Sequence, residues 1–254
     1  MSAPDAMATD GRVGPMVAAV GRFVFRYRDY LSPVGLLLIL AYARPRPFFA
    51  DEGLDAWSNG IGILLGALGL AMRFAVNGLT DIQRNGENKR LAADRLVCDG
   101  IYTHSRNPLY AANALMLAGL AIICHSWLVY LLAFPLYLVA ILTIVQSEEA
   151  FLRGKFGRDY DDYCRRVPRF VPRLRNLRLT MTRARFDWRR AIRREYSTAF
   201  AWSSVTLALM AWEQLSWHGA SAAAPALWVL GTTWLGALGL YALARWLKKS
   251  RRLG

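Results

Sequence analysis

Two polar knots interrupt an otherwise apolar sequence, and their side chains are the ones equipped for chemistry. The first runs from Asp99 to Tyr110 and holds Gly100, Tyr102, His104, Arg106, Asn107, Pro108 and Tyr110 at the threshold of an apolar run that reaches Cys124. The second, Ser147-Glu148-Glu149, closes the next apolar run. Pro108 suits a helix start, since its missing N–H is not needed there and its φ is already helical. Asn107 before it can cap the orphan N–H groups with its side chain. Arg106 beside a helix N-terminus makes a local anion site. The glutamates are expected at a helix C-terminus, where the dipole disfavours negative charge. Set opposite Arg106, they offer an acceptor facing an anion binder. A ligand carrying both an ammonium and a carboxylate, such as an amino-acid end, matches that pair. No general base is assigned; Tyr102, His104 and Tyr110 are the candidates, and a helix-end histidine is more often structural.

The elements that must position these knots are membrane helices. The 254 residues are 55% hydrophobic, with nine Trp and eleven Tyr, and amphipathic rings favour the headgroup level. The net charge of +14 would suggest nucleic acid in a soluble protein; with apolar spans it reads as positive cytoplasmic loops. Three cysteines, Cys98, Cys124 and Cys164, have neither metal spacing nor a disulfide framework. No cleavable signal peptide is expected at the N-terminus.

Gly14–Arg28 reads as an interfacial helix. Candidate spans follow at Leu31–Ala43, Trp57–Val76, Leu109–Cys124, Trp127–Gln146, Thr198–Leu215 and Ala224–Trp246. The first is short against the ~20 residues needed to cross hydrocarbon. Gly62, Gly66 and Gly69 in the second allow a close helix approach. Only His125-Ser126 separates the third and fourth, which are therefore antiparallel.

Lys and Arg numbers in successive connections run 4, 2, 5, 0, 15, 0 and 5, apart from Arg73 inside the second span. This alternation predicts six spans with both termini in the cytosol. Both polar knots then lie on the cytosolic side.

The blocks Leu96–Tyr102, Arg106-Asn107-Pro108-Leu109-Tyr110, Glu148-Glu149, Phe156-Gly157-Arg158-Asp159-Tyr160 and Tyr163-Cys164-Arg165-Arg166-Val167-Pro168 together resemble the integral-membrane methyltransferases of the isoprenylcysteine carboxyl methyltransferase and phospholipid methyltransferase group. The resemblance covers about residues 94–172 and weakly reaches back to the second span. It implies S-adenosylmethionine bound between the last two core helices and the cytosolic segment after them. By position it implies cofactor contacts from Asp94, Arg95, Leu96, Val97, Tyr102, Arg106, Asn107, Pro108, Leu109, Tyr110, Glu148 and Glu149. Two departures stand out: Asn107 replaces the family's usual histidine, and Ile144 stands where the prenylcysteine enzymes have a substrate-handling arginine. A prenylcysteine carboxylate is therefore a poor fit as acceptor.

The arginine-rich run from Arg165 to Arg194 is interleaved with Phe186, Trp188, Ile192 and Tyr196. Its helical face suggests a surface-lying helix that anchors the chain or captures anionic headgroups.

The expected fold is thus all-α, about six transmembrane helices with a cofactor pocket on the cytosolic side. Its parts are an N-terminal tail and interfacial helix (1–30), a helical hairpin and loop (31–93), the methyltransferase core (94–172), a basic interfacial segment (173–197) and a C-terminal hairpin with a basic tail (198–254). The expected function is methyl transfer from S-adenosylmethionine to a lipid or lipid-attached acceptor, by an integral protein of the bacterial inner membrane, with no metal and no nucleic-acid partner. The alternatives are methylation of a small permeant thiol, an NADPH-dependent sterol-type reductase, and a non-catalytic lipid-binding protein.

Overall fold

The computed structural model describes residues 52–80 and 96–250. The expected interfacial helix Gly14–Arg28, the span Leu31–Ala43 and the candidate residues Asp94 and Arg95 lie outside the described residues. The described residues are helical, without strands. Their elements are α1 (Glu52–Leu79), a 3-10 turn (Gly100–Thr103), α2 (Pro108–Ile123), α3 (Phe134–Phe156), α4 (Arg158–Arg166), α5 (Leu177–Arg183) and α6 (Trp188–Lys249). Among the described residues three stretches are long and apolar enough to cross a membrane, Gly53–Leu79, Val129–Phe156 and Trp188–Lys249, with α2 a shorter apolar helix.

Pro108 stands in the first turn of α2, as its chemistry predicts. The link at 124–126 turns the chain back, with His125 at φ +44. A π turn at Val129–Ala133 then leads into α3. Pro135 explains that turn: it lacks the N–H that the carbonyl four residues back requires, and its ring crowds that carbonyl. The helix expected to end at Gln146 continues to Phe156, where Gly157 at φ +52 stops it. Glu148 and Glu149 therefore sit inside α3, and Arg153 and Lys155 occupy its last turn. Those two cations suit the negative end of the dipole, which is why the helix outlasts its apolar stretch.

The two final spans form one element broken at Gly219 (φ 74, ψ 169), a conformation open to glycine. The second arm folds back along the first: Trp234 Nε1 donates to Ser204 Oγ at 3.0 Å, and the Tyr196 and Tyr241 rings stack with centroids 5.4 Å apart. Residues 188–197, expected as a separate interfacial helix, are instead the first turns of α6, and Asp187 caps them by accepting from Arg190 N.

α1 and α2 approach with almost no side chain between them. A Cβ on Gly119 would lie 2.3 Å from the Gly62 carbonyl oxygen and 2.9 Å from Gly66 N. Gly66 in turn faces the Trp202 ring of α6. We expect Gly119→Ala to force the backbones apart and to cost about 1–3 kcal/mol, the range for overpacking a fitted interface. Thermal unfolding in detergent measures it, and an unchanged midpoint would contradict so tight a crossing.

One end of this bundle is pinned by a buried polar cluster. Asn59 Nδ2 donates to both Glu213 oxygens at 2.9 and 3.0 Å, and its Oδ1 accepts from His125 Nε2 at 3.0 Å. Asp55 Oδ1 lies 3.7 Å from His125 Nδ1. Burial lowers the His125 pKa from its ordinary value, against the pull of Asp55. The cluster joins α1, the 124–126 link and α6; the two polar knots meet at the other end.

Candidate functional site

At that other end the turn before α2 is held by a backbone seam. Arg106 N donates to Pro168 O at 2.9 Å, Asn107 N to Arg169 O at 3.1 Å, and Arg173 N to His104 O at 3.0 Å. Ser105 Oγ adds a bond to Phe170 O at 2.9 Å. The segment 168–173 thereby forms a strap across residues 104–107. His104 belongs to this seam. Its Nδ1 donates to Arg173 O at 2.7 Å, since a carbonyl only accepts. That leaves Nε2 to accept from the Thr180 hydroxyl at 2.9 Å. With both ring nitrogens engaged and 4% exposure, His104 is a strut.

The two glutamates separate into different roles. Glu149 is 3% exposed and gathers the knot around itself. It accepts from Arg169 Nε at 3.2 Å and Nη2 at 2.5 Å and from Asn107 Nδ2 at 3.3 Å, and Arg106 Nη1 lies 3.4 Å away. Glu148 is half-buried and accepts from the Tyr110 hydroxyl at 2.7 Å.

Two sequence expectations change here. Asn107 does not cap α2 with its side chain; only its carbonyl opens the helix, accepting from Ala111 N at 3.1 Å, because the amide is drawn to the buried carboxylate. Arg106 is not an open anion site either, because Glu149 and the Cys164 sulfur occupy its Nη1. Its Nε, however, is a buried donor with no hydrogen-bond partner.

The remaining candidates fall around this centre. Leu96 packs on the cluster of Tyr160, Tyr163 and Val167, and Val97 is half-buried beside it in sequence. Tyr102 takes part through its carbonyl, which accepts from the Tyr163 hydroxyl at 2.8 Å. Burial pushes the Tyr163 phenol well above its usual pKa, so it stays protonated and donates. Tyr160 is raised as well, by burial first and then by Glu149 and Cys164 nearby. Pro108 and Leu109 are buried in the first turn of α2.

Sequence reasoning missed Arg169, one residue beyond the last recognisable block, and the partnership of Arg106 with Cys164. It also missed a second buried network directly beneath. Arg73 Nε and Nη2 donate to Glu195 at 2.6 and 2.9 Å, and Asn77 Nδ2 donates to Glu195 at 2.6 Å. Arg73 Nη1 reaches Asn113 Oδ1 at 2.5 Å. Asn113 follows Tyr110 by three positions on α2, hence on the same face. A lone arginine inside an apolar span was the available signal, since such charges are costly and must find partners.

Residues 59–159 match the family model described as phospholipid methyltransferase. The cobalt-zinc-cadmium resistance protein CzcN of Cupriavidus metallidurans is 26% identical over 172 residues, 65% of this chain and 76% of that protein. The nickel-cobalt-cadmium resistance protein NccN of Alcaligenes xylosoxydans xylosoxydans is 31% identical over 123 residues, 47% of this chain and 54% of its own length. No solved structure matches at a significant level. Apolar helices of membrane length and the matched segment together make this an integral membrane protein. The matched segment, residues 59–159, holds both polar knots and is similar to the phospholipid methyltransferase family.

Proposed function

We propose that this protein transfers a methyl group from S-adenosylmethionine to a lipid or lipid-borne acceptor at the cytosolic edge of the bacterial inner membrane. Six spans with both termini in the cytosol complete the reading, on the strength of the Lys and Arg alternation. The observation that carries it is the junction of the two knots. There the buried Arg106 Nε is an unused donor, and Glu148, oriented by Tyr110, is a half-buried carboxylate on the neighbouring helix. Those two groups fit the carboxylate and the ammonium of an amino-acid end.

When bound, S-adenosylmethionine supplies an already electrophilic sulfonium methyl. What the protein must add is alignment, which contributes up to roughly 7–11 kcal/mol in favourable cases. Glu149 fixes Asn107 and Arg169, and through them the 168–173 strap. The strap keeps the turn rigid beside Glu148. No residue here needs to act as a base if the acceptor is a phosphate, carboxylate or thiolate.

Calorimetric titration of the purified protein with S-adenosylmethionine and with NADPH tests the reading. We expect a saturable heat with the first and none with the second. Binding of NADPH alone would favour the reductase alternative, and binding of neither would favour a lipid-binding protein without catalysis. The relatives' names, which record resistance to cobalt, zinc, nickel and cadmium, favour a second reading of the purpose. In it the methylated membrane component contributes to metal tolerance. A deletion strain that loses both a methylated lipid and its tolerance to these ions would support it.

A further inference from the structure

Between Tyr163 and Phe186 the chain has eight arginines and no lysine, aspartate or glutamate. The candidate site uses the side chain of Arg169 alone among them. Farther along, Arg173, Arg175, Arg178, Arg185 and Arg189 are exposed. They alternate with large apolar side chains that are also exposed: Val171 at 79%, Leu174 at 75% and Trp188 at 68%, with Leu179 and Met181 over 40%.

Up to Asp187 this ledge is outside the stretches long enough to cross a membrane, and it ends in the first turn of α6 with Trp188 and Arg189. Exposed apolar groups among cations at that level describe a surface seated in the headgroup layer. The apolar side chains enter the acyl boundary while the guanidinium groups stay at the level of the phosphates. The exclusive use of arginine points to the same occupant, because its planar fork binds phosphate oxygens in pairs whereas lysine offers a point charge. Free phosphate or nucleic acid would satisfy the charges and leave Val171, Leu174 and Met181 in water. A phospholipid leaflet satisfies both.

We infer that residues 171–189 form a docking surface for anionic phospholipid headgroups, and that this contact holds the strap closed over the candidate site. The coupling is through the seam already described: Arg173 N and O and the Thr180 hydroxyl all engage His104. Seating the ledge therefore seats the turn that carries Arg106 and Asn107. The surface is independent of the methyl-transfer reading, and its test needs no methyl donor.

The full chain is placed in nanodiscs of phosphatidylcholine, with and without phosphatidylglycerol, and amide hydrogen exchange is followed across 171–186. We expect about tenfold slower exchange with the anionic lipid, each surface cation adding attraction, and a loss of that difference at high salt. The variant R173Q/R175Q/R178Q changes only exposed side chains and leaves the backbone seam available, and it is expected to abolish the difference. V171S/L174S, which keeps every charge, is expected to reduce it. Equal exchange in the two discs overturns the inference. So does protection that survives in the arginine variant, or protection produced in neutral discs by added RNA.

Discussion

Glu149→Gln is expected to loosen the cap over the site, whereas Glu148→Gln is expected to leave the fold intact and weaken donor binding. Glu149 is the buried charge that Arg106, Arg169 and Asn107 converge on. Neutralising it leaves Arg106, 14% exposed, beside an uncharged partner, and breaking a buried pair in this way costs about 3–5 kcal/mol. Arg169 is 39% exposed and can turn to water, so the lower end of that range applies. Thermal unfolding in detergent and faster amide exchange at 168–173 report the loss.

Glu148 is half-buried and accepts from the Tyr110 hydroxyl. A charge-assisted bond from it to a bound ammonium contributes about 1.5–3 kcal/mol. Glu148→Gln should therefore weaken S-adenosylmethionine by roughly ten- to a hundredfold, at the rate of ~1.4 kcal/mol per factor of ten, with little change in unfolding. If the two substitutions behave alike, the division of labour between the adjacent carboxylates is wrong. If Glu148→Gln binds the donor as tightly as the native protein, the proposed site is wrong as well.

Glu195→Ala is the second change expected to have a large effect. Glu195 is 1% exposed, and its carboxylate joins α6 to Arg73 and Asn77 of α1. Removing it strands the Arg73 guanidinium among apolar helices and should cost about 3–5 kcal/mol. The same reasoning gives the double variant R73M/E195L the opposite fate. Replacing both partners by apolar groups of similar size is often neutral or stabilising, so the double variant is expected to unfold near the native midpoint. A double variant as unstable as Glu195→Ala would show that Asn77 and Asn113, not the ion pair, carry the junction. Activity measured on the same proteins then reports whether Asn113 must be held for Tyr110, on its own face of α2, to orient Glu148.

Periodicity and residue chemistry made several features readable. The short link at 124–126 and the reversal inside the last apolar stretch follow from the length of apolar run that a helix can sustain. Pro108 opens α2 because its ring presets φ. The meeting of the Arg106–Tyr110 knot with Glu148-Glu149 follows from an antiparallel pair whose polar ends must emerge together. The glycine approach was readable too, since Gly62 and Gly69 lie against α2.

Other features depend on partners that no local pattern names. The end of α3 lies ten residues past its apolar stretch because charges beyond the hydrocarbon are free to continue a helix. Asn107 has the composition of a cap, yet a buried carboxylate 42 positions away attracts its amide more strongly. Residues 188–197 look amphipathic and surface-bound, yet Glu195 is buried because Arg73, 122 positions earlier, needs it.

The amino-acid sequence alone thus determined the membrane class, the helical hairpins and which two polar segments share an end of the bundle. These depend on hydropathy and on backbone preferences that act over a few residues. Only the tertiary structure decided that Glu149 is consumed by the scaffold while Glu148 stays half-buried beside Tyr110, that His104 is a strut, and that the buried Nε of Arg106 has no hydrogen-bond partner. Each of those outcomes is a competition among buried charges for a limited number of partners, and its result is set by distances that exist only once the helices have packed.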